Sequence, residues 1–535
     1  MNKSRNPNSE IRGSVAAWPR YVLRASAFIF RLRASAFFRA SGFGLRICGI
    51  AACLGLLAPL LLAGCAVGPN FKQPAAPQVQ DYTPNPLSTT SGTTNVAGGE
   101  PQRFLAGADI PGEWWTLFHS KPLNDLIERS LTNNPSIKAG QAALTVAREV
   151  VLAQKGAYFP SLTGGFAASR QKTSEELAPV PNANQFYFSL YTPQVSVSYV
   201  PDVFGLNRRT VESLKAQAEQ ARFALVATHI TLSANVAAAA IQEASLRAQI
   251  AATHELLAIN TNMLEIMRRQ FAKGYVSRLE VAAQESQLAQ VAATLPPLLK
   301  QLAQQRDLLA ALSGGFPSAG LPEEFELAGL QLPQELPLSL PSQLVAQRPD
   351  VRQAEETLHA ASAQIGIAVA NRLPSITLSA DAGTMALEAG NMFANGAGFW
   401  TLAGSVTQPI FQGGALLHKE RAARAAYVQA AEQYRSTVLT AFQNVADTLN
   451  ALEQDANALK AAAAAKDAAG ITLDLARKQW QSGYANYLAL LSAEMAYQQS
   501  TINLVQAQAN RYADTAALFQ ALGGGWWHRG ELTRN

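Results

Sequence analysis

The 535-residue sequence predicts a mainly α-helical chain that also carries four β-strands, arranged as one device built twice. Three observations predict this. The stretch "RRQFAKGYVSRLEVAAQ" at 268–284 returns as "RKQWQSGYANYLALLSA" at 477–493, and Arg268, Gln270, Gly274, Tyr275 and Leu279 reappear as Arg477, Gln479, Gly483, Tyr484 and Leu488 at a constant offset of 209. Pro135 and Pro160 lie 25 residues apart, as do Pro349 and Pro374, and each pair brackets a proline-free, glycine-poor segment. After Pro160 and Pro374 the pattern changes from helical to alternating.

In each copy, proline at the first helical position and proline just past the end punctuate a helix of about seven turns. Strands follow. Leu162, Phe166 and Ala168 alternate with Ser161, Thr163 and Ser169, and in the second copy Ile376, Leu378 and Ala380 alternate with Ser375, Thr377, Ser379 and Asp381. After a polar loop comes a second alternating run in each copy. Tyr191, Val195, Val197 and Tyr199 stand opposite Thr192, Gln194, Ser196 and Ser198, and Leu402 and Val406 stand opposite Thr401, Ser405 and Thr407. Runs of about nine residues are long enough for a tilted strand to cross a bilayer. The polar face reads as uncharged and hydroxyl-rich, which suits a water-filled lumen.

Pro201 and Pro409 end the second strands, and 68 residues without Pro or Gly run from Leu206 to Lys273. At 1.5 Å per residue that segment makes a helix of about 100 Å. Ile250, Leu257, Leu264 and Phe271 recur at heptad spacing and become Leu459, Lys466, Leu473 and Trp480 in the second copy, a seam of helix against helix. Gly274-Tyr275 and Gly483-Tyr484 break the long helices at their far ends. The chain then returns through 276–313 and 485–522 and stops at "LSGG" and "LGGG". Each copy is therefore a helical hairpin tipped by a glycine and continuous with two strands.

Composition narrows the function. Charged residues are only 15% of the chain, and the formal charge of +5 misleads about partners. Residues 1–64 hold nine basic residues and one acidic, so the body is net negative and offers no surface for nucleic acid. The three cysteines, Cys48, Cys53 and Cys65, cluster around the uncharged run "ICGIAACLGLLAPLLLA", which makes an export signal rather than a disulfide framework. Leu62-Ala63-Gly64-Cys65 resembles a bacterial lipobox, with Cys65 as the acylated residue, and the Pro- and Gln-rich stretch after it reads as a tether. Residues 1–45, with "RASAF" at 24–28 and again at 33–37, receive no fold.

No enzymatic constellation is present in the sequence. His254-Glu255 begins a zinc-protease motif, but Ala258 stands where the second histidine must be. The glycine runs precede no phosphate-loop lysine and read as helix stops, and Trp114-Trp115 and Trp526-Trp527 read as packing anchors. No catalytic residue, metal or cofactor is expected beyond the acyl groups on Cys65. A four-stranded sheet in lipid leaves its edge N–H and C=O groups unsatisfied, so the chain must oligomerise. Three copies give twelve strands, and the sequence alone also permits four. The rival reading is a lipid-tethered periplasmic coiled-coil scaffold or adaptor without a pore.

From Leu62 to Gly525 the chain resembles the TolC-like outer-membrane efflux factors, in particular their OprM/NodT lipoprotein branch. The residues carrying the resemblance are "LAGCAVGPNFKQP", "EWWTLFHSKPLNDLIERSLTNNPSI", "QRPDVRQAEETLHAASAQIGIAVANRLPSITLSA", "TQPIFQGG" and the twinned tips. The resemblance implies a homotrimeric channel-tunnel, with a twelve-stranded outer-membrane β-barrel on a periplasmic α-helical barrel and a mixed equatorial domain. It implies a passive conduit, most of its mass in the periplasm, docked to a periplasmic membrane-fusion adaptor and an inner-membrane pump of the resistance-nodulation-division type. Multidrug export is the commonest cargo in the family, and a protein-secretion exit duct is the alternative within it. The expected divisions are a leader and signal peptide over 1–64, a lipidated N-terminal tether over 65–110, repeats over 111–313 and 342–525, a Pro-rich equatorial connector over 314–341 and a tail over 526–535. Lys273, Gly274, Tyr275, Val276, Ser482, Gly483, Tyr484 and Ala485 are the implied adaptor-docking tips. Glu280 and Glu494 are the candidate periplasmic gate, while Ala489 and Ser492 stand where the family usually places acids.

Overall fold

Proline sets both helix starts where its spacing placed them, in a computed structural model that describes residues 66–172 and 187–533. The leader, its apolar run and Cys65 lie outside the described residues. Two elements precede the first copy, strand β1 (Arg103–Ala106) and helix α1 (Lys121–Asn133). The copy itself runs α2 (Pro135–Lys155), β2 (Ser161–Lys172), β3 (Tyr187–Tyr199), α3 (Leu206–Ala272) and α4 (Arg278–Leu312). Strand β4 (Glu335–Leu338) and helix α5 (Pro341–Gln347) lead into the second copy. It repeats the order as α6 (Pro349–Ala370), β5 (Ser375–Thr384), β6 (Gly398–Thr407), α7 (Ala415–Gln481) and α8 (Tyr487–Ala521). A short helix, α9 (Gly530–Thr533), closes the described chain.

The long helices α3 and α7 are each 67 residues, about 100 Å at 1.5 Å per residue. Alanine lets neighbouring helices approach α3 closely: Ala237, Ala240 and Ala244 are fully buried at three- and four-residue spacing. The seam of α7 uses the expected Leu459, Leu473 and Trp480. The seam of α3 departs from expectation. It runs through Gln249, Thr253, Leu256, Asn260, Met263 and Met267, and of the expected heptad only Leu264 is buried, with Phe271 exposed. Thr253 donates to the Gln249 carbonyl at 2.8 Å and Asn260 to the Leu256 carbonyl at 2.9 Å. Polar residues that satisfy themselves on the helix occupy seam positions, which a hydrophobic heptad does not reveal.

The equatorial core forms where the copies meet. Trp114 is fully buried and stacks on Phe519 of α8 at 5.3 Å, and Phe118, Leu123, Leu126 and Ile127 pack beside it. The tryptophan pairs are packing groups here, as their sequence context suggested. Strand β1 pairs in parallel with β4, from Arg103 opposite Glu335 to Ala106 opposite Leu338. The expected tether is thus corrected, because much of residues 66–110 is laid against the body. Val67 N–H donates to the Phe204 carbonyl at 3.1 Å, and the buried Arg209 donates to Val67 O, Gly68 O and Asn70 Oδ1. Gly205, at φ +79°, lets Ala66 approach so closely that a Cβ there lies 2.6 Å from the Ala66 Cα.

A second anchor of this segment gives a pH dependence. Arg511 on α8, fully buried, donates to Thr90 Oγ1 at 3.1 Å and to the Glu100 carbonyl at 2.6 Å. Nearby, burial, a hydrogen bond to Asp514 and repulsion from that carboxylate push Asp455 up to about 7, against the opposing pull of Arg511. The folded group holds its proton above the unfolded value of about 4, so stability is fully present below that pH and falls as pH rises toward about 7. The expected result is a melting temperature that drops between about pH 4 and pH 7 in the wild type and flattens in Asp455→Asn, measured by circular dichroism.

Candidate docking tips and lumen-facing sheet

Glycine ends both long helices by the same hydrogen-bond pattern. Gly274 and Gly483 each sit at φ +76°, where a side chain is costly. Gly274 N–H donates to Phe271 O and Tyr275 N–H to Gln270 O; Gly483 N–H donates to Trp480 O and Tyr484 N–H to Gln479 O. These are paired Schellman caps. Among the described residues nothing else comes within 4 Å of a Cβ at either glycine, so conformation and not space selects the residue. The caps present Tyr275 and Leu279, and their repeats Tyr484 and Leu488, as exposed apolar side chains; Tyr484 is 89% exposed.

The return helices start differently. Ser277 caps α4 by accepting from Glu280 N–H, and the Glu280 carboxylate accepts from Ser277 N–H at 2.6 Å, a reciprocal capping box. Asn486 caps α8 by accepting from Ala489 N–H at 3.0 Å, and alanine has nothing to return. Glu280 thus uses its carboxylate to hold the tip. Glu494 is buried at 4% exposure with neither carboxylate oxygen hydrogen-bonded among the described residues. Burial raises its pKa, and Arg477 opposes the rise. Within one chain, Glu280 commits one carboxylate oxygen to its helix cap and Glu494 is buried.

The structure adds three residues to this end of the molecule. The Tyr487 hydroxyl of α8 donates to Gln284 Oε1 of α4, and Gln284 Nε2 donates to Asn260 O and Oδ1 of α3 at 3.0 Å each. All three are buried, beside Met263, Leu264, Met267 and Trp480, and burial raises the Tyr487 pKa. They tie the first hairpin to the second. At the 209-residue offset, Asn260, Gln284 and Tyr487 correspond to Ala469, Ala493 and Arg278. The departures from the repeat were the available signal.

At the other end, β2, β3, β5 and β6 form one antiparallel sheet in that order. Register aligns the alternation of all four strands. Leu162, Val197, Ala380 and Leu402 share one row, and the next row, on the opposite face, is Thr163, Ser196, Asp381 and Thr401. Leu162 is 71% and Leu402 76% exposed, so among the described residues this apolar face packs on nothing. The hydroxyl face includes Ser161, Ser198, Thr377, Ser379 and Ser405, but it is not uncharged: Asp381 lies in its midst. Strands β2 and β6 are the sheet's two open edges.

A family described as "Outer membrane efflux protein" matches residues 126–315 and again residues 340–524. The chain belongs to the outer membrane efflux protein family. Its two matched stretches fall on the two copies of the repeat. The chain is 30% identical over 491 residues to the toluene efflux pump outer membrane protein TtgF of Pseudomonas putida, spanning 88% of this chain and 96% of that protein. It is 27% identical to the outer membrane protein OprJ of Pseudomonas aeruginosa, spanning 88% and 95%. Among solved structures, the outer membrane protein VceC of Vibrio cholerae superposes with a TM-score of 0.73 at 27% identity, covering 78% of this chain and all of that one. The open-state MtrE outer membrane channel of Neisseria gonorrhoeae gives 0.72 at 26% identity, covering 86% and 99%. Within this efflux family, the four-stranded sheet and the helical hairpins are the outer membrane and tunnel-forming parts.

Proposed function

We propose that this protein is the outer-membrane channel of a tripartite efflux system, assembled as a homotrimer whose twelve strands close a barrel around water. The observation carrying this reading is the sheet: four aligned strands with one exposed apolar face, one hydroxyl face and two unpaired edges. Lipid cannot satisfy edge N–H and C=O groups, so copies of the chain must pair β6 to β2 in a ring. Twelve strands leave an open lumen, where eight are filled by side chains. The export signal and Cys65 add a lipid anchor at the N-terminus, and the helices carry the conduit into the periplasm. The exposed tip pairs Tyr275 with Leu279 and Tyr484 with Leu488 supply apolar contacts for a periplasmic adaptor, which joins the tunnel to an inner-membrane pump. Tyr487, Gln284 and Asn260 hold the two hairpins together just inside the tips, so this link must part for the mouth to widen. Conduction is passive and uses no cofactor.

Purification from outer membranes, a heated and unheated gel, and planar-bilayer recording test the reading. A heat-resistant oligomer that conducts supports it. A monomer, electrically silent in lipid, overturns it in favour of a tethered scaffold.

A further inference from the structure

Asp381 is the one charged side chain on the hydroxyl face of the sheet among the described residues. Strand register puts it directly opposite Ser196 on one side and Thr401 on the other, with Thr163 completing the row. The other charges in the four strands, Arg170 and Lys172, fall on the alternate face near the end of β2, where Lys172 sits over the Tyr187 ring at 5.6 Å. Asp381 makes no ion pair among the described residues, so its charge is not cancelled locally. At the tips, by contrast, the Glu280 carboxylate is taken up by its helix cap, Glu494 is buried, and position 489 is alanine.

We infer that Asp381 sets the ion preference of this channel from within the barrel, its carboxylate concentrating small cations in the lumen. The inference rests on the proposed channel reading: in a trimer, the register repeats Asp381 three times at one level around the lumen. A ring of carboxylates facing water is how cation-selective pores are built. A fixed negative ring raises the local concentration of cations and lowers that of anions. In a lumen this wide its reach depends on screening. At about 0.01 M salt the screening length is about 30 Å and the ring acts across the lumen; at about 1 M it is about 3 Å and the ring is felt only at the wall.

The test is the reversal potential of the full-length protein in planar bilayers across a potassium chloride gradient. In dilute salt, Asp381→Asn is expected to lower the cation-to-anion permeability ratio by about twofold or more, and Ser196→Asp, a second carboxylate in the same row, to raise it. In about 1 M salt the variants and the wild type converge. Identical reversal potentials in dilute salt for the wild type and both variants overturn the inference while leaving the channel intact. A silent wild type overturns the channel reading and this inference with it. The yield of heat-resistant oligomer, unchanged in both variants, separates selectivity from folding; should Asp381→Asn fail to assemble, Ser196→Asp alone decides.

Discussion

Replacing Gly274 or Gly483 by valine is expected to abolish pump-dependent export while leaving the yield of heat-resistant oligomer unchanged. Both glycines sit at φ +76°, where an ordinary side chain costs roughly 1–2 kcal/mol and a β-branched one more. Nothing else among the described residues contacts a Cβ at either position, so this cost acts on the tip and not on a packed core. The cap that breaks is the one that aims Tyr275 or Tyr484. Each 1.4 kcal/mol removed from docking weakens it by about tenfold, and the defect recurs in every subunit of the ring. Alanine, which tolerates the left-handed region somewhat better, is expected to give a milder loss. Drug accumulation in cells lacking the native channel reads export, and an unheated gel reads assembly. Loss of the oligomer itself makes the glycines fold determinants and removes the argument that they serve a partner.

How much of this was legible in the sequence depends on which physical signal carries each feature. Proline and glycine positions fixed the helix starts, the tips and the strand ends, because backbone geometry at those residues is restricted or uniquely permissive. Alternation predicted the strands and both faces of the sheet, since its period of two is set by the pleat. The seam of α3 was misplaced because Thr253 and Asn260 satisfy their own polar groups and so occupy an interface while looking like surface. The N-terminal segment read as a tether because Pro- and Gln-rich composition says nothing about long-range partners: Arg209 is 139 residues from Asn70, and Phe204 is 137 from Val67. The link from Tyr487 through Gln284 to Asn260 spans three helices, and only the asymmetry between the copies hinted at it. Asp381 was visible as a residue, but its isolation on the hydroxyl face required the register of four strands.

That register makes the sharpest test of the membrane reading a substitution moved by one residue. Leu402→Arg is expected to abolish the heat-resistant oligomer, whereas Thr401→Arg preserves it and lowers the channel's preference for cations. Leu402 is 76% exposed and shares its row with Leu162, Val197 and Ala380, the face that a closed barrel turns to lipid. An arginine on the lipid face near the bilayer midplane costs about 2–4 kcal/mol, and three subunits bring roughly 6–12 kcal/mol to bear on a single assembly. Thr401 lies beside Asp381 on the opposite face, where an arginine stays hydrated and can pair with that carboxylate. In a soluble hairpin with one wet side, arginine at an already exposed Leu402 costs little, and the two variants assemble alike. Equal oligomer yields from membranes therefore refute a lipid-facing Leu402, and a loss confined to the Leu402 variant fixes which face of the sheet meets the bilayer.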